Sequence, residues 1–96
     1  MNTKAYLEIT MKIDDNNRLA AAGIYEKYKT PFLNQIQEAV SKELLIRSED
    51  VQVLHGFDGL ESAKAYLETD LFKNDVFVGL KPLWNANPDV KIYEIA

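Results

Sequence analysis

His55 is the only histidine in the chain and its only side chain that ordinarily titrates near neutral pH. It stands in the run Val51-Gln52-Val53-Leu54-His55-Gly56-Phe57, where strand alternation puts it in a row with Val51, Val53 and Phe57. An imidazole in such an apolar wall could act as a catalytic general base, removing the proton of a bound phenolic hydroxyl. The same placing suits a core histidine held by one hydrogen bond, which is the commoner case. Trp84, followed by Asn85 and Asn87, could offer a substrate an aromatic platform with amides beside it. A lone tryptophan more often closes the edge of a core. Tyr25, Tyr28 and Tyr66 are candidate substrate-binding residues if a pocket lies between helices and sheet. Aromatic residues at helical spacing usually pack, with the hydroxyl reaching water.

Other chemistries find little support. There is no cysteine, so disulfides, thiolate nucleophiles and zinc–thiolate sites are excluded. Asp14-Asp15 and the Glu61/Glu68 pair lack ligand-like spacing and a second histidine, so no metal site is expected, and they read as helix-terminal or solvated acids. Gly56 and Gly59 are not followed by the Lys and Ser/Thr of a phosphate loop. Ser62 has no partner spacing that marks a nucleophile. No cofactor is implied. Net charge is −4, from 11 basic and 15 acidic residues, with the signs interleaved, so no nucleic-acid partner is expected. No apolar run approaches the ~20 residues of a membrane span. Asn2-Thr3-Lys4 leads into a strand without a signal-like segment, so the expected location is cytoplasmic.

The elements that must position these residues are legible from hydrophobic periodicity. With 96 residues and 47% hydrophobic content, the chain reads as one domain spanning 1–96. Ala5, Leu7, Ile9, Met11 and Ile13 alternate with polar residues and predict a first strand. Asp14 to Asn17 supply N-cap types, and a helix follows from about Arg18, with Leu19, Ala22, Gly23, Tyr25 and Tyr28 as its apolar stripe. Thr30-Pro31 predicts a kink or a second piece, ending near Gln37. A strand over 39–47, centred on Leu44, Leu45 and Ile46, turns through Ser48-Glu49-Asp50 into the strand 51–57. Asp58 and Glu61 resemble a capping box for a helix carrying Leu60, Ala63 and Leu67. Thr69-Asp70 interrupts it. A second apolar helical stretch, 71–81, stops at Pro82, and 89–96 is the last strand.

The order β-α-β-β-α-β is that of a ferredoxin-like α+β sandwich with a four-stranded antiparallel sheet. Its helix-facing side takes the apolar face of strand one with Val51, Val53, Phe57, Val90 and Ile92. The other side then carries Tyr6, Thr10, Leu45, Leu54, Tyr93 and Ile95. An open sheet face is normally hydrophilic, and a mixed one with large apolar groups marks an interface. The expected partner is a second copy of the chain, packed through that face.

The stretches Tyr6-Leu7-Glu8-Ile9, Tyr25-Glu26-Lys27-Tyr28, Val51 to Phe57 and Val90-Lys91-Ile92-Tyr93 give the chain a pattern that resembles the antibiotic-biosynthesis-monooxygenase-like group of dimeric α+β barrel proteins. The resemblance spans the whole chain but is one of pattern, because the group lacks a tight signature. It implies a shared barrel of two sheets and a pocket between sheet and helices in each subunit. Members include cofactor-free oxygenases of aromatic or quinol-type substrates, isomerases, haem-degrading enzymes and proteins of unknown role. The haem-degrading branch uses a helical His or an Asn/Trp constellation, and the sole His here is on a strand. The resemblance thus implies a cofactor-independent monooxygenase, an oxidoreductase of a small aromatic ligand. The alternative is a non-enzymatic homodimer that binds a small ligand or assists a pathway partner, which the lack of paired titratable groups favours.

Overall fold

The computed structural model describes residues 2–96, so Met1 of the expected domain lies outside the described residues. Alternation in the sequence becomes alternation in burial. Strand β1 (Ala5–Met11) buries Ala5, Leu7, Ile9 and Met11 and leaves the residues between them half-covered. It pairs antiparallel with β3 (Val51–Phe57) on one side and with β4 (Asp89–Glu94) on the other. Strand β2 (Ala39–Ile46) pairs with β3, giving the antiparallel order β2-β3-β1-β4. The first and third strands are therefore central, as a ferredoxin-like α+β fold requires.

The register settles which residues share a face. Ile9 lies opposite both Val53 and Val90, and Leu7 opposite both His55 and Ile92. All of these face the helices. Tyr6, Thr10, Leu45, Leu54 and Tyr93 fall on the open side, as the alternation predicts. Strand β2 contains a bulge between Ala39 and Ser41. Two residues there oppose one step of β3, so the alternation is reset, and Lys42 and Leu44 face inward with Ala39. Leu44, Leu45 and Ile46 were expected at the centre of a strand over 39–47. They sit at its end instead, with Leu45 and Ile46 exposed.

Helix α1 runs unbroken over Arg18–Gln35, with Pro31 inside it rather than dividing it. Proline removes one intrahelical bond, to the carbonyl of Lys27, and Lys27 is exposed, so water can take that carbonyl. The buried positions are Ala21, Tyr25 and Phe32, spaced by four and seven. Leu19, expected on the apolar stripe, is 87% exposed, because the inward face runs through Ala21, Tyr25 and Phe32 on the opposite side of the helix. The start of α1 is tied to the hairpin: Arg18 donates from Nη1 to the Arg47 carbonyl at 2.6 Å and from Nη2 to the Ser48 carbonyl at 2.9 Å. Asp14 does not cap the helix; its carboxylate accepts from Asn85 Nδ2 at 2.8 Å.

Helix α2 (Leu60–Tyr66) begins at Gly59, not at a capping box. Asp58 accepts the Ser62 hydroxyl at 2.6 Å, which leaves Glu61 to the solvent beside Lys64. The stretch expected as one helix over 71–81 takes three registers: a π turn over Leu71–Val76, the short helix α3 (Phe77–Leu80) and a 3-10 turn over Lys81–Leu83. No described helix is long and apolar enough to cross a membrane.

Phe32 is the hub between α1, α2 and the sheet. Its ring meets Tyr66 at 4.9 Å, His55 at 5.4 Å and Phe57 at 5.7 Å between centroids, each near edge-to-face. We expect Phe32→Ala to cost about 3–5 kcal/mol in denaturant unfolding. Leu19→Ala should change stability by no more than about 0.5 kcal/mol. Equal losses at the two positions would contradict the helix orientation.

Candidate functional site

Between the sheet, α1 and the 71–83 segment lies a cavity of about 200 Å³. Its floor is Ile9, Met11, Val51 and Val53, and its roof includes Ile24, Leu67, Phe72 and Leu80. A roughly 150 Å³ apolar cavity already admits benzene, so this one suits a single substituted ring. Among the sequence candidates, Tyr25, His55 and Trp84 line it. Tyr28 and Tyr66 do not: Tyr28 packs at the margin of the core, and Tyr66 lies in the aromatic cluster behind His55.

Each lining group is held by backbone. Trp84 pairs with Ile13 across an isolated bridge, and the amide of Asn85 donates to the Lys12 carbonyl at 2.7 Å. These contacts pin the indole beside the end of β1. A second depression, along Asn85 to Pro88, shares Trp84 with the cavity, so the indole stands between the two. The indole Nε1 is buried with no acceptor among the described residues. Tyr25 donates its hydroxyl to the Lys42 carbonyl at 2.8 Å, which joins α1 to the edge strand. The Tyr66 hydroxyl, expected to reach water, is buried and unpartnered among the described residues, and burial raises its pKa.

His55 is 1% exposed. Its Nδ1 lies 3.1 Å from the carbonyl oxygen of Leu7, its cross-strand neighbour. A carbonyl only accepts, so Nδ1 carries the proton and Nε2 the lone pair. Burial first, and then the positive charge of Lys42, pull the imidazole down to about 3, against the Leu7 and Val53 carbonyls that favour its proton. His55 is therefore neutral at neutral pH: a base by form, but a weak one.

The residue that periodicity did not reveal is Lys42. It lies directly opposite His55, is 3% exposed and lines the cavity. Its Nζ lies 5.2 Å from the Phe32 ring centroid and 5.7 Å from that of Tyr25. None of the salt bridges among the described residues involves it. Burial, and secondarily the charge of Lys29, lower its pKa to about 8. The ammonium form still dominates at neutral pH, held by aromatic faces and no counter-ion. Alternation counted back from Leu45 on the open face places Leu44 and Lys42 inward, and the bulge brings Ala39 to the same side.

No family model matches the chain, and no curated protein matches it by sequence. Solved structures match it closely in shape. A conserved protein of Methanosarcina mazei superposes with a TM-score of 0.84 at 11% identity, over 98% of this chain and 94% of its own. A protein of Caulobacter crescentus, named as a candidate antibiotic biosynthesis monooxygenase, gives 0.84 at 12% identity, over 98% and 91%. The chain has the fold of this group. A Bacteroides thetaiotaomicron protein of unknown function, named with oxidoreductase as one prospect, gives 0.77 at 15% identity, over 99% and 100%. At these identities the likeness is one of fold, and it matches the fold that the sequence resemblance implies.

The two buried bases leave a signature in stability. Lys42 has a folded pKa near 8 against 10.5 when unfolded, so the unfolded chain binds more protons between those values and stability rises with pH across that window. Below about pH 8 the full penalty, about 3 kcal/mol, is present. Lys42→Met should raise denaturant stability at pH 7 by a similar amount and flatten the alkaline rise. His55 is lowered from 6.5 to about 3, so its contribution is lost as pH falls below 6.5, and His55→Leu should flatten that acid limb. Unchanged profiles in both variants would show that neither group is buried as described.

Proposed function

We propose that the protein is a cofactor-independent monooxygenase acting on a small aromatic or quinol-like substrate in the cavity. The observation that carries this reading is an apolar, ring-sized cavity with two titratable nitrogen groups, His55 and Lys42, opposite each other in its wall. Deprotonation makes such a ring electron-rich enough to reduce O2 itself. One oxygen atom then enters a ring methylene carbon of the keto tautomer as a carbonyl. The other leaves as water with the two hydrogens of that carbon. In this reading His55 or Lys42 receives the substrate proton, while Tyr25 and Trp84 flank the ring. Tyr28 and Tyr66 support the wall from outside the cavity. The name carried by the Caulobacter protein of the same fold agrees with this class of reaction.

The second reading is a binding protein without turnover. The weak basicity of a His55 tied to the Leu7 backbone favours it. Either way the working unit is proposed to be a cytoplasmic homodimer joined through the open sheet face, where Leu45, Tyr93 and Ile95 are exposed.

Oxygen uptake should be followed with hydroquinones, naphthols and flavonoid-like phenols. We expect consumption by the wild type and a fall of roughly 100-fold in His55→Ala, if His55 is the base. No uptake with any substrate sinks the oxygenase reading. Light scattering at micromolar concentration should give the mass of two chains; a monomer mass refutes the homodimer.

A further inference from the structure

Lys42 is an anomaly that packing alone does not account for. A buried ammonium is normally paired with a carboxylate or rejected from the core, because its desolvation costs several kcal/mol. Here it is kept, almost wholly buried, at the wall of the cavity. The titratable groups around it are Lys29 and Tyr25 on α1, His55 on β3 and Tyr66 beyond His55 on α2. None is a carboxylate, and the Tyr25 hydroxyl is already engaged with the Lys42 carbonyl. A second N–H donor in the same wall, Trp84 Nε1, also lacks an acceptor among the described residues. An apolar cavity whose wall residues include two unanswered donors, one of them a cation, complements a ligand that is apolar over most of its surface and anionic at one point.

We propose that the cavity binds a small apolar ring compound bearing one acidic oxygen, a phenol or a carboxylic acid, and holds it as the oxyanion against the Lys42 ammonium. The proposal deepens the reading above and rests on the same cavity being the ligand site. The proton balance is simple. When the amine is neutral, the O–H bond of the ligand breaks and an N–H bond forms on Lys42. When the amine is already protonated, the ligand leaves its proton in water. Both routes end in the same ion pair, placed where Lys29 adds positive charge and no acidic side chain competes among the described residues. An uncharged ring of the same size gains only the apolar contacts and leaves the ammonium unanswered.

Trp84 is the sole tryptophan and lines the cavity, so quenching of its fluorescence reports occupancy. The probes are 4-nitrobenzoate, 4-nitrophenol and the uncharged 4-nitrotoluene. At pH 7 we expect the better acidic probe to bind about tenfold or more tighter than 4-nitrotoluene. The preferred acid tells phenol from carboxylate. Binding of 4-nitrobenzoate, ionised throughout, should weaken as pH rises from about 7 to about 10 and Lys42 loses its charge, while 4-nitrotoluene stays level. That arm needs no variant. In Lys42→Met the preference for the acid should vanish, with 4-nitrotoluene binding retained. The proposal is overturned by equal wild-type affinities, by a preference that survives in Lys42→Met, by a flat pH profile for 4-nitrobenzoate, or by no saturable quenching at all. Tight binding of the acids without oxygen uptake would remove the oxygenase and leave this inference standing. Oxygen uptake that Lys42→Met leaves unaltered, with no acid preference, would do the reverse.

Discussion

The antiparallel register of β1 against β3 sets the terms for everything packed on this sheet. Seven consecutive pairs, from Ala5 opposite Phe57 to Met11 opposite Val51, place two apolar rows side by side on the helix face. A slip of one residue would turn one of the two rows outward and bring Glu8 or Gln52 in instead, so the burial of Leu7, Ile9, Val53 and Phe57 holds the register firmly. The same register brings the Leu7 carbonyl to His55 Nδ1 and thereby selects the imidazole tautomer. It also gives Phe32 a floor of His55 and Phe57, on which α1 and α2 close. Tertiary structure and site chemistry are thus consequences of one ladder.

Within that frame the cavity carries an electrostatic load that a purely structural core would shed. His55 and Lys42 are cross-strand neighbours, both buried; burial lowers the proton affinity of each, and the Lys42 charge lowers that of His55 further. Replacing buried ionic groups by apolar ones of similar volume is often neutral or stabilising. Their retention opposite one another, beside an apolar space, is the pattern expected where stability is given up for function. The aromatic faces of Phe32 and Tyr25 soften the penalty on the lysine without removing it.

The strand faces were readable because period-two alternation is a direct imprint of the sheet, and β1, β3 and β4 obey it without interruption. His55 was legible for the same reason: it breaks an apolar row. The helices were read less well. Leu19 fits an apolar stripe by spacing, yet Arg18 beside it is bonded to the hairpin carbonyls and the buried positions are Ala21, Tyr25 and Phe32, on the opposite side of the helix. Pro31 looked like a divider, but a proline inside a helix forfeits only one bond when the orphaned carbonyl is on the wet side. Asp58 and Glu61 have capping-box spacing, while the actual partner of Asp58 is Ser62. Tyr66, a candidate for the wall of a helix–sheet pocket, lies in the aromatic cluster behind His55. The bulge after Ala39 had no local sequence signal, neither glycine nor proline, and Lys42 was missed although it shares the parity of Leu44, because a charged side chain is not counted into an apolar row.

That bulge has a second effect, on what the sheet can recruit. β2 is an outer strand, and its far side offers backbone groups with no strand neighbour among the described residues. A straight edge of that kind is a template for accretion of further strands and for fibrous aggregation. Doubling two residues against one bends the start of the strand and breaks the spacing of its outward N–H and C=O groups there, so an incoming extended segment is put out of step at Ala39 to Ser41. The fold thereby shortens the regular β2 edge to residues 41–46, while large apolar residues stay on its open face.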